Sequence, residues 1–170
     1  MTLDIVRATT STELDHVRDL MRGFVAWHKG RHAADLALVE RYFDAAAFEA
    51  ELAGLPGKYG APHGALLLAY HRGEPAGCVA LRNLGVGIAE MKRMFVADAY
   101  RGLSIGRALA ERMMSEAVRI GYRAMRLDTS HRQAEAIGLY ESLGFQRIEP
   151  YYAVPPALAD WLVFFERELA

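Results

Sequence analysis

Polar and apolar positions alternate between two periods along this chain. Asp4 to Ala8 reads as a short first strand. Thr10 and Glu13 have the spacing of a capping box, in which hydroxyl and carboxylate each accept a backbone N–H. Leu14, Val17, Leu20, Met21 and Phe24 then recur at helical spacing, so a helix is expected up to about Trp27 to Gly30. A second helical pattern runs from Ala34 to Leu52, with Leu36, Val39, Phe43 and Phe48 as its apolar side. Leu55 to Gly64 contains Pro56, Gly57, Gly60, Pro62 and Gly64 and reads as a loop.

Ala65 to Tyr70 and Ala76 to Arg82 are apolar strands joined by the turn Arg72-Gly73-Glu74-Pro75. Gly85 and Gly87 lead into a third strand, Ile88 to Val96, which completes an antiparallel meander. Past Gly102, the residues Ile105, Ala108, Leu109, Met113, Ala117 and Ile120 share one side of a helix that Gly121 stops. A strand from Ala124 to Thr129, a helix from Gln133 to Leu143 and strands at Phe145 to Ile148 and Trp161 to Glu168 close the order. This order predicts a mixed α/β fold, with a largely antiparallel sheet and about four helices on its faces. The strand-helix-strand unit from Glu90 to Thr129 is expected to be parallel and right-handed.

Composition narrows the class. A chain of 170 residues fits one domain over 1–170 and is long enough for a real core. A net charge of -1 gives no basic excess, so nucleic acid is not expected as a partner. No apolar run reaches membrane-spanning length, and Met1-Thr2-Leu3-Asp4 does not open a signal peptide. The single cysteine, Cys78, lies in an apolar strand pattern and reads as a small core residue. A reducing, cytoplasmic setting is expected. Nothing in the pattern encodes oligomeric state, and a homodimer stays open.

The chemistry concentrates at the strand-turn-helix unit Glu90 to Leu109. A helix start carries unpaired N–H groups and a partial positive charge, and few large side chains surround this one. Gly102, Ser104 and Gly106 therefore make an anion cradle that suits a phosphorylated ligand. The spacing is not that of a P-loop or of a dinucleotide fold. Arg101 and Arg107 are candidate cations for the phosphates, against the ordinary alternative of solvated surface arginines. His28 and His32 stand four apart, but Gly30 lies between them and no third ligand is evident, so no metal is expected.

The stretch Arg101-Gly102-Leu103-Ser104-Ile105-Gly106 resembles the Gln/Arg-x-x-Gly-x-Gly/Ala signature of the GNAT N-acetyltransferase superfamily, with Ser104 at the first glycine position. Downstream, Gln133-Ala134-Glu135-Ala136-Ile137-Gly138-Leu139-Tyr140 continues to Gly144-Phe145. It is similar to the family's Asn-x-x-Ala-x-x-Leu-Tyr-x-x-x-Gly-Phe, with Gln133 at the Asn position. The detailed match covers roughly Leu55 to Tyr152; the first fifty residues fit as a coarse pattern.

The resemblance implies an acetyl-coenzyme A-dependent N-acetyltransferase that acts on a small-molecule or peptide amine. It implies that the main chain of Met94, Phe95 and Val96 pairs with the pantetheine arm. It implies that the N–H groups of Gly102, Leu103, Ser104, Ile105, Gly106 and Arg107 meet the pyrophosphate, with Gln133 and Ala136 nearby. Tyr140 would be the general acid for the departing thiolate. A phenol near pKa ~10 is still protonated when a thiol near ~8.5 must regain its proton. Glu90, opening the central strand, is the candidate base; the alternative is a strand charge paired with Lys92 or Arg126, and Asp128 is a weaker candidate. Tyr59, His63, Tyr151 and Tyr152 lie on loops that the family uses near the acceptor, although packing is the ordinary role for each. Ser104 is read as a helix cap whose hydroxyl can also donate to a phosphate. Ser104 and Gln133 also keep open a domain that binds acyl-coenzyme A without turning it over.

Overall fold

The structure is a computed structural model that describes residues 2–169. Strand β1 (Leu3–Arg7) leads into helix α1 (Ser11–Arg31) through the expected capping box. Glu13 N–H donates to Thr10 Oγ1 at 3.2 Å, and Thr10 N–H donates to Glu13 Oε2 at 3.0 Å. The single helix expected from Ala34 to Leu52 is two: α2 (Leu36–Tyr42) and α3 (Ala45–Ala53), after a 3-10 turn at Ala33–Asp35. Asp44 causes the break. Its carboxylate accepts the Ala47 N–H at 2.9 Å and so starts a new helix where the apolar spacing runs on unbroken.

The meander is β2 (Ala65–His71), β3 (Glu74–Gly85) and β4 (Ile88–Val96). Then follow α4 (Ile105–Ile120), β5 (Ala124–Ser130), α5 (Ala134–Ser142), β6 (Gln146–Ile148) and β7 (Leu162–Glu168). Among the described residues there are thus five α-helices rather than about four. One seven-stranded sheet has the order β1-β2-β3-β4-β5-β7-β6, and every pair but β4–β5 is antiparallel. The parallel β4–α4–β5 unit is as expected.

Strand alternation sends side chains to two cores. Leu67, Ala69, Val79 and Leu81 pack with α4 residues Ile105, Leu109 and Met113. Leu66, Leu68, Cys78 and Ala80 face the other way, toward Val17 and Met21 of α1 and toward Phe43, Leu52 and Trp161. Cys78 is fully buried there as read, and burial pushes its thiol up to about 12.

Two irregularities of β4 place the site. First, β4 pairs with β5 only at Ile88↔Ala124, Ala89↔Met125 and Glu90↔Arg126, although the strands continue to Val96 and Ser130. Beyond Glu90 they part. Second, Cys78 opposes Phe95 while Ala80 opposes Lys92, so two residues of β4, Arg93 and Met94, face one of β3. This is a β-bulge, and Arg93 takes the left-handed conformation within it (φ 57°). The bulge bends β4 away from β5 and opens a slot in the middle of the sheet.

Candidate active site

The slot holds a cavity of about 200 Å³. One wall is β4 from Met91 to Val96, the other Asp128, Thr129 and Ser130 of β5, and α5 contributes Ala136, Leu139 and Tyr140. Aromatic rings from the first helices and from Trp161 close the far side.

At one end lies the start of α4. Gly102 (φ 78°) and Ser104 (φ 60°) both take the left-handed backbone conformation. Ser104 is the N-cap residue, but its side chain makes no cap hydrogen bond. That corrects the expectation of a hydroxyl cap. A side-chain cap needs an extended backbone, and the left-handed one aims the hydroxyl elsewhere. A Cβ on Gly106 would lie 3.7 Å from both Leu139 and Val96, so the glycine leaves the slot open at that point. The Ile105 side chain is buried in the core, the partly buried Leu103 packs against the same core, and Ser104 between them is exposed, so only main chain at Ile105 can face a ligand. The opposite edge of Phe95 and Val96 is taken by β3, through pairing with Cys78 and Gly77; Met94 sits in the bulge. These elements leave a narrow slot bordered by free strand edge, with the start of α4 beside it.

Both candidate cations are engaged. Arg101 pairs with Asp98 at 2.8 Å and with Glu135 at 3.5 Å, and its guanidinium lies 4.4 Å over the Trp27 ring. Arg107 pairs with Glu111 at 3.4 Å and donates to Ser142 Oγ at 2.6 Å. Gln133 lines the cavity, with its side-chain nitrogen 2.5 Å from His28 Nε2. His28 is buried, and burial, then the nearby His32, lower its pKa to about 4. Its ring centroid is 5.4 Å from that of His32, and no group of three or more His, Cys, Asp or Glu that could hold a metal comes together among the described residues.

Tyr140 lines the cavity from α5. Burial, reinforced by Asp128, raises its phenol above the ordinary range, so it is protonated at neutral pH. The candidate base Glu90 is in a different setting from Tyr140. It is fully buried and does not line the cavity; Arg82 (2.6 Å), Lys92 (3.8 Å) and the Tyr151 hydroxyl (2.5 Å) occupy its carboxylate. Of the two alternatives, the Lys92 pair is present, whereas Arg126 pairs with Glu166 at 2.6 Å. Two carboxylates line the cavity, Glu135, which pairs with Arg31 and Arg101, and Asp128, which accepts from Tyr42 at 2.8 Å and from Tyr152. Tyr151 and Tyr152 therefore reach the two carboxylates, while Tyr59 is buried under Arg93 and Glu51 and His63 offers only its carbonyl, to Tyr122 at 2.5 Å.

Some site residues were not readable from sequence. Lys92 lines the cavity, and burial lowers its pKa. Phe24, Trp27 and His28 form a wall from α1; their i, i+3, i+4 spacing was the available signal, and it reads equally well as core.

Residues 27–145 match the acetyltransferase (GNAT) family, and the chain belongs to that family. An N-acetyltransferase of Schizosaccharomyces pombe, described as uncharacterized, is 42% identical over 107 residues, which are 62% of this chain and 66% of that protein. Across the first curated relatives the chain spans 32–66% of their length. An acetyltransferase from Streptococcus agalactiae has the same fold, with a TM-score of 0.74 at 20% identity over 98% of each chain. Another solved structure, yncA from Salmonella typhimurium with its cofactor acetyl-CoA, matches with a TM-score of 0.64 at 22% identity over 100% of this chain and 95% of that one. The structural neighbours therefore support a GNAT fold. No helix among the described residues is long and apolar enough to cross a membrane.

Proposed function

We propose that this chain transfers an acetyl group from acetyl-CoA to a primary amine by direct attack in a ternary complex. The observation that carries the reading is the split between β4 and β5, which opens beside the α4 cradle and ends at Tyr140 and Asp128. The β4 edge from Met94 to Val96 would hold the pantetheine arm, and the N–H groups from Gly102 to Arg107 the pyrophosphate. A slot-facing N–H of the bulged strand would polarise the thioester carbonyl. The amine nitrogen forms its bond to the carbonyl carbon as the carbon–sulfur bond breaks. Asp128 takes the amine's proton, directly or through water, and Tyr140 supplies the proton that the sulfur regains.

Asp128 is preferred to Glu90 here because it borders the cavity, whereas Glu90 does not and is held by Arg82, Lys92 and Tyr151. Cys78, buried with its thiol pKa raised, is no nucleophile, which favours direct attack over an acetyl-enzyme.

The test pairs thermal shift with acetyl-CoA and thiol release over a panel of amines. Stabilisation together with amine-dependent thiol release is expected. Stabilisation without release from any amine would replace this reading by a domain that only binds acyl-CoA. Tyr140→Phe is expected to lower turnover about 10²-fold with acetyl-CoA affinity kept; unchanged turnover across pH would make Tyr140 a packing residue.

A further inference from the structure

The charge ledger of the cavity is uneven in one place. Arg93 is neutralised by Glu51, at 2.9 Å, and Arg101 by Asp98 and Glu135. Lys92 lies 3.8 Å from Glu90, and Glu135 has Arg31 at 2.8 Å as a further partner. Asp128 is the exception. Among the described residues it has no cation within salt-bridge distance, although the Lys92 ammonium acts on it from farther off; its oxygens are held by the hydroxyls of Tyr42 and Tyr152, which are neutral donors. A buried-side carboxylate satisfied only by hydroxyls keeps its charge available to a cation.

The wall around it is aromatic and continuous. Phe24 stacks on Phe95 at 5.4 Å and meets Phe43 edge-on at 5.7 Å. Phe43 meets Tyr42 at 4.8 Å, and Tyr42 meets Trp161 at 6.0 Å. All five rings border the cavity, and ring faces of this kind favour flat apolar bodies and attract ammonium groups.

We infer that the acceptor is a small arylalkyl monoamine, its ammonium at Asp128 and its ring against the Phe24–Phe43 wall. This rests on the acetyl-transfer reading above and narrows it. A polyamine brings further ammonium groups into a wall whose other carboxylates are already paired, and each would be desolvated without a partner. An acidic amine brings a carboxylate to a wall whose arginines are already matched, and it meets Asp128 as a like charge. The aromatic body loses nothing on entering and removes apolar surface from water.

The test measures thiol release from acetyl-CoA with 2-phenylethylamine, ethylamine, spermidine and glutamate, on the full chain and on Phe24→Leu. The expected result is a kcat/KM for 2-phenylethylamine roughly ten- to a hundredfold above the other three. In Phe24→Leu the ratio of 2-phenylethylamine to ethylamine should fall by about tenfold, and the ratio is insensitive to how much of the variant is folded. Spermidine or glutamate as the best acceptor would overturn the inference and leave the transferase reading standing. An unchanged ratio in Phe24→Leu would overturn it too, since the wall would not touch the acceptor. Acetyl-CoA binding without turnover of 2-phenylethylamine would also overturn it. Absence of both acetyl-CoA stabilisation and thiol release would remove the transferase reading, and this inference with it.

Discussion

Replacing Ser104 by glycine should make this protein more stable. Ser104 sits at φ 60°, ψ 20°, is exposed, and makes no cap hydrogen bond at the start of α4. A side chain in the left-handed region costs about 1–2 kcal/mol from the clash of Cβ with the carbonyl oxygen. Glycine relieves that clash but gains about 0.4–1 kcal/mol of entropy in the unfolded chain. The difference favours Ser104→Gly by about 0.5–1 kcal/mol, or about 2–3 °C in Tm for a domain of this size. The assay is thermal unfolding of the wild type, Ser104→Gly and Ser104→Ala. Alanine keeps the Cβ and therefore the strain, so its Tm should not rise. If glycine lowered the Tm, or alanine raised it as much as glycine did, backbone strain would not be what Ser104 contributes. The same pair of variants bears on ligand binding. If the cradle holds pyrophosphate through backbone N–H groups, glycine should hold or tighten acetyl-CoA affinity, because no hydroxyl is needed there.

Gly106→Trp should abolish acetyl-CoA stabilisation, since its side chain would enter the space beside Val96 and Leu139; retained stabilisation would place the cofactor elsewhere. Glu51→Gln should cost about 3 kcal/mol in chemical denaturation, because it leaves the largely buried Arg93 without its carboxylate; a cost below about 1 kcal/mol would mean that the pair is weak. His28 gives a pH signature. Its folded pKa of about 4 lies below the unfolded value near 6.5, so the unfolded chain binds the extra proton between those values. Stability should therefore fall as pH drops from about 6.5 to about 4, and His28→Gln should flatten that slope. Glu51, held down to about 2 by Arg93 and Lys58, contributes stability that is lost only as pH falls below about 4.5, so the two windows are separable by pH-dependent Tm.

The parts of the fold that repeat a local period were legible. The capping box at Thr10, the meander, the crossover helix and its stop at Gly121 all follow from spacing and from glycine. The break at Asp44 was not, because the apolar spacing from Val39 through Phe48 continues across it and a single cap residue outweighs that pattern. At the site, the motifs pointed to the start of α4 and to Tyr140, and residues of both line the cavity. Glu90 and Asp128 exchanged prominence for a non-local reason. Which carboxylate reaches the cavity depends on Arg82 and Tyr151 claiming Glu90 from 8 and 61 residues away, and on where β4 and β5 part. The bulge at Arg93 is likewise set by tertiary contact. Its guanidinium is held by Glu51 and lies 5.1 Å over Phe43, both contributed by the helices before the sheet.

An open seven-stranded sheet ordinarily has two edges. The three-pair seam between β4 and β5 gives this one a second pair, inside the molecule. An edge invites any passing strand to add to it, which is a common route to aggregation. Here the interior edges are guarded on both sides, by α5 and by the aromatic wall, and the gap is only about 200 Å³. A polypeptide strand with its side chains is too broad to enter, whereas a thin unbranched chain with amide groups along it is not. The fold can therefore keep unpaired strand groups in its centre, ready for hydrogen bonding, without the self-association that the same groups would cause on its surface.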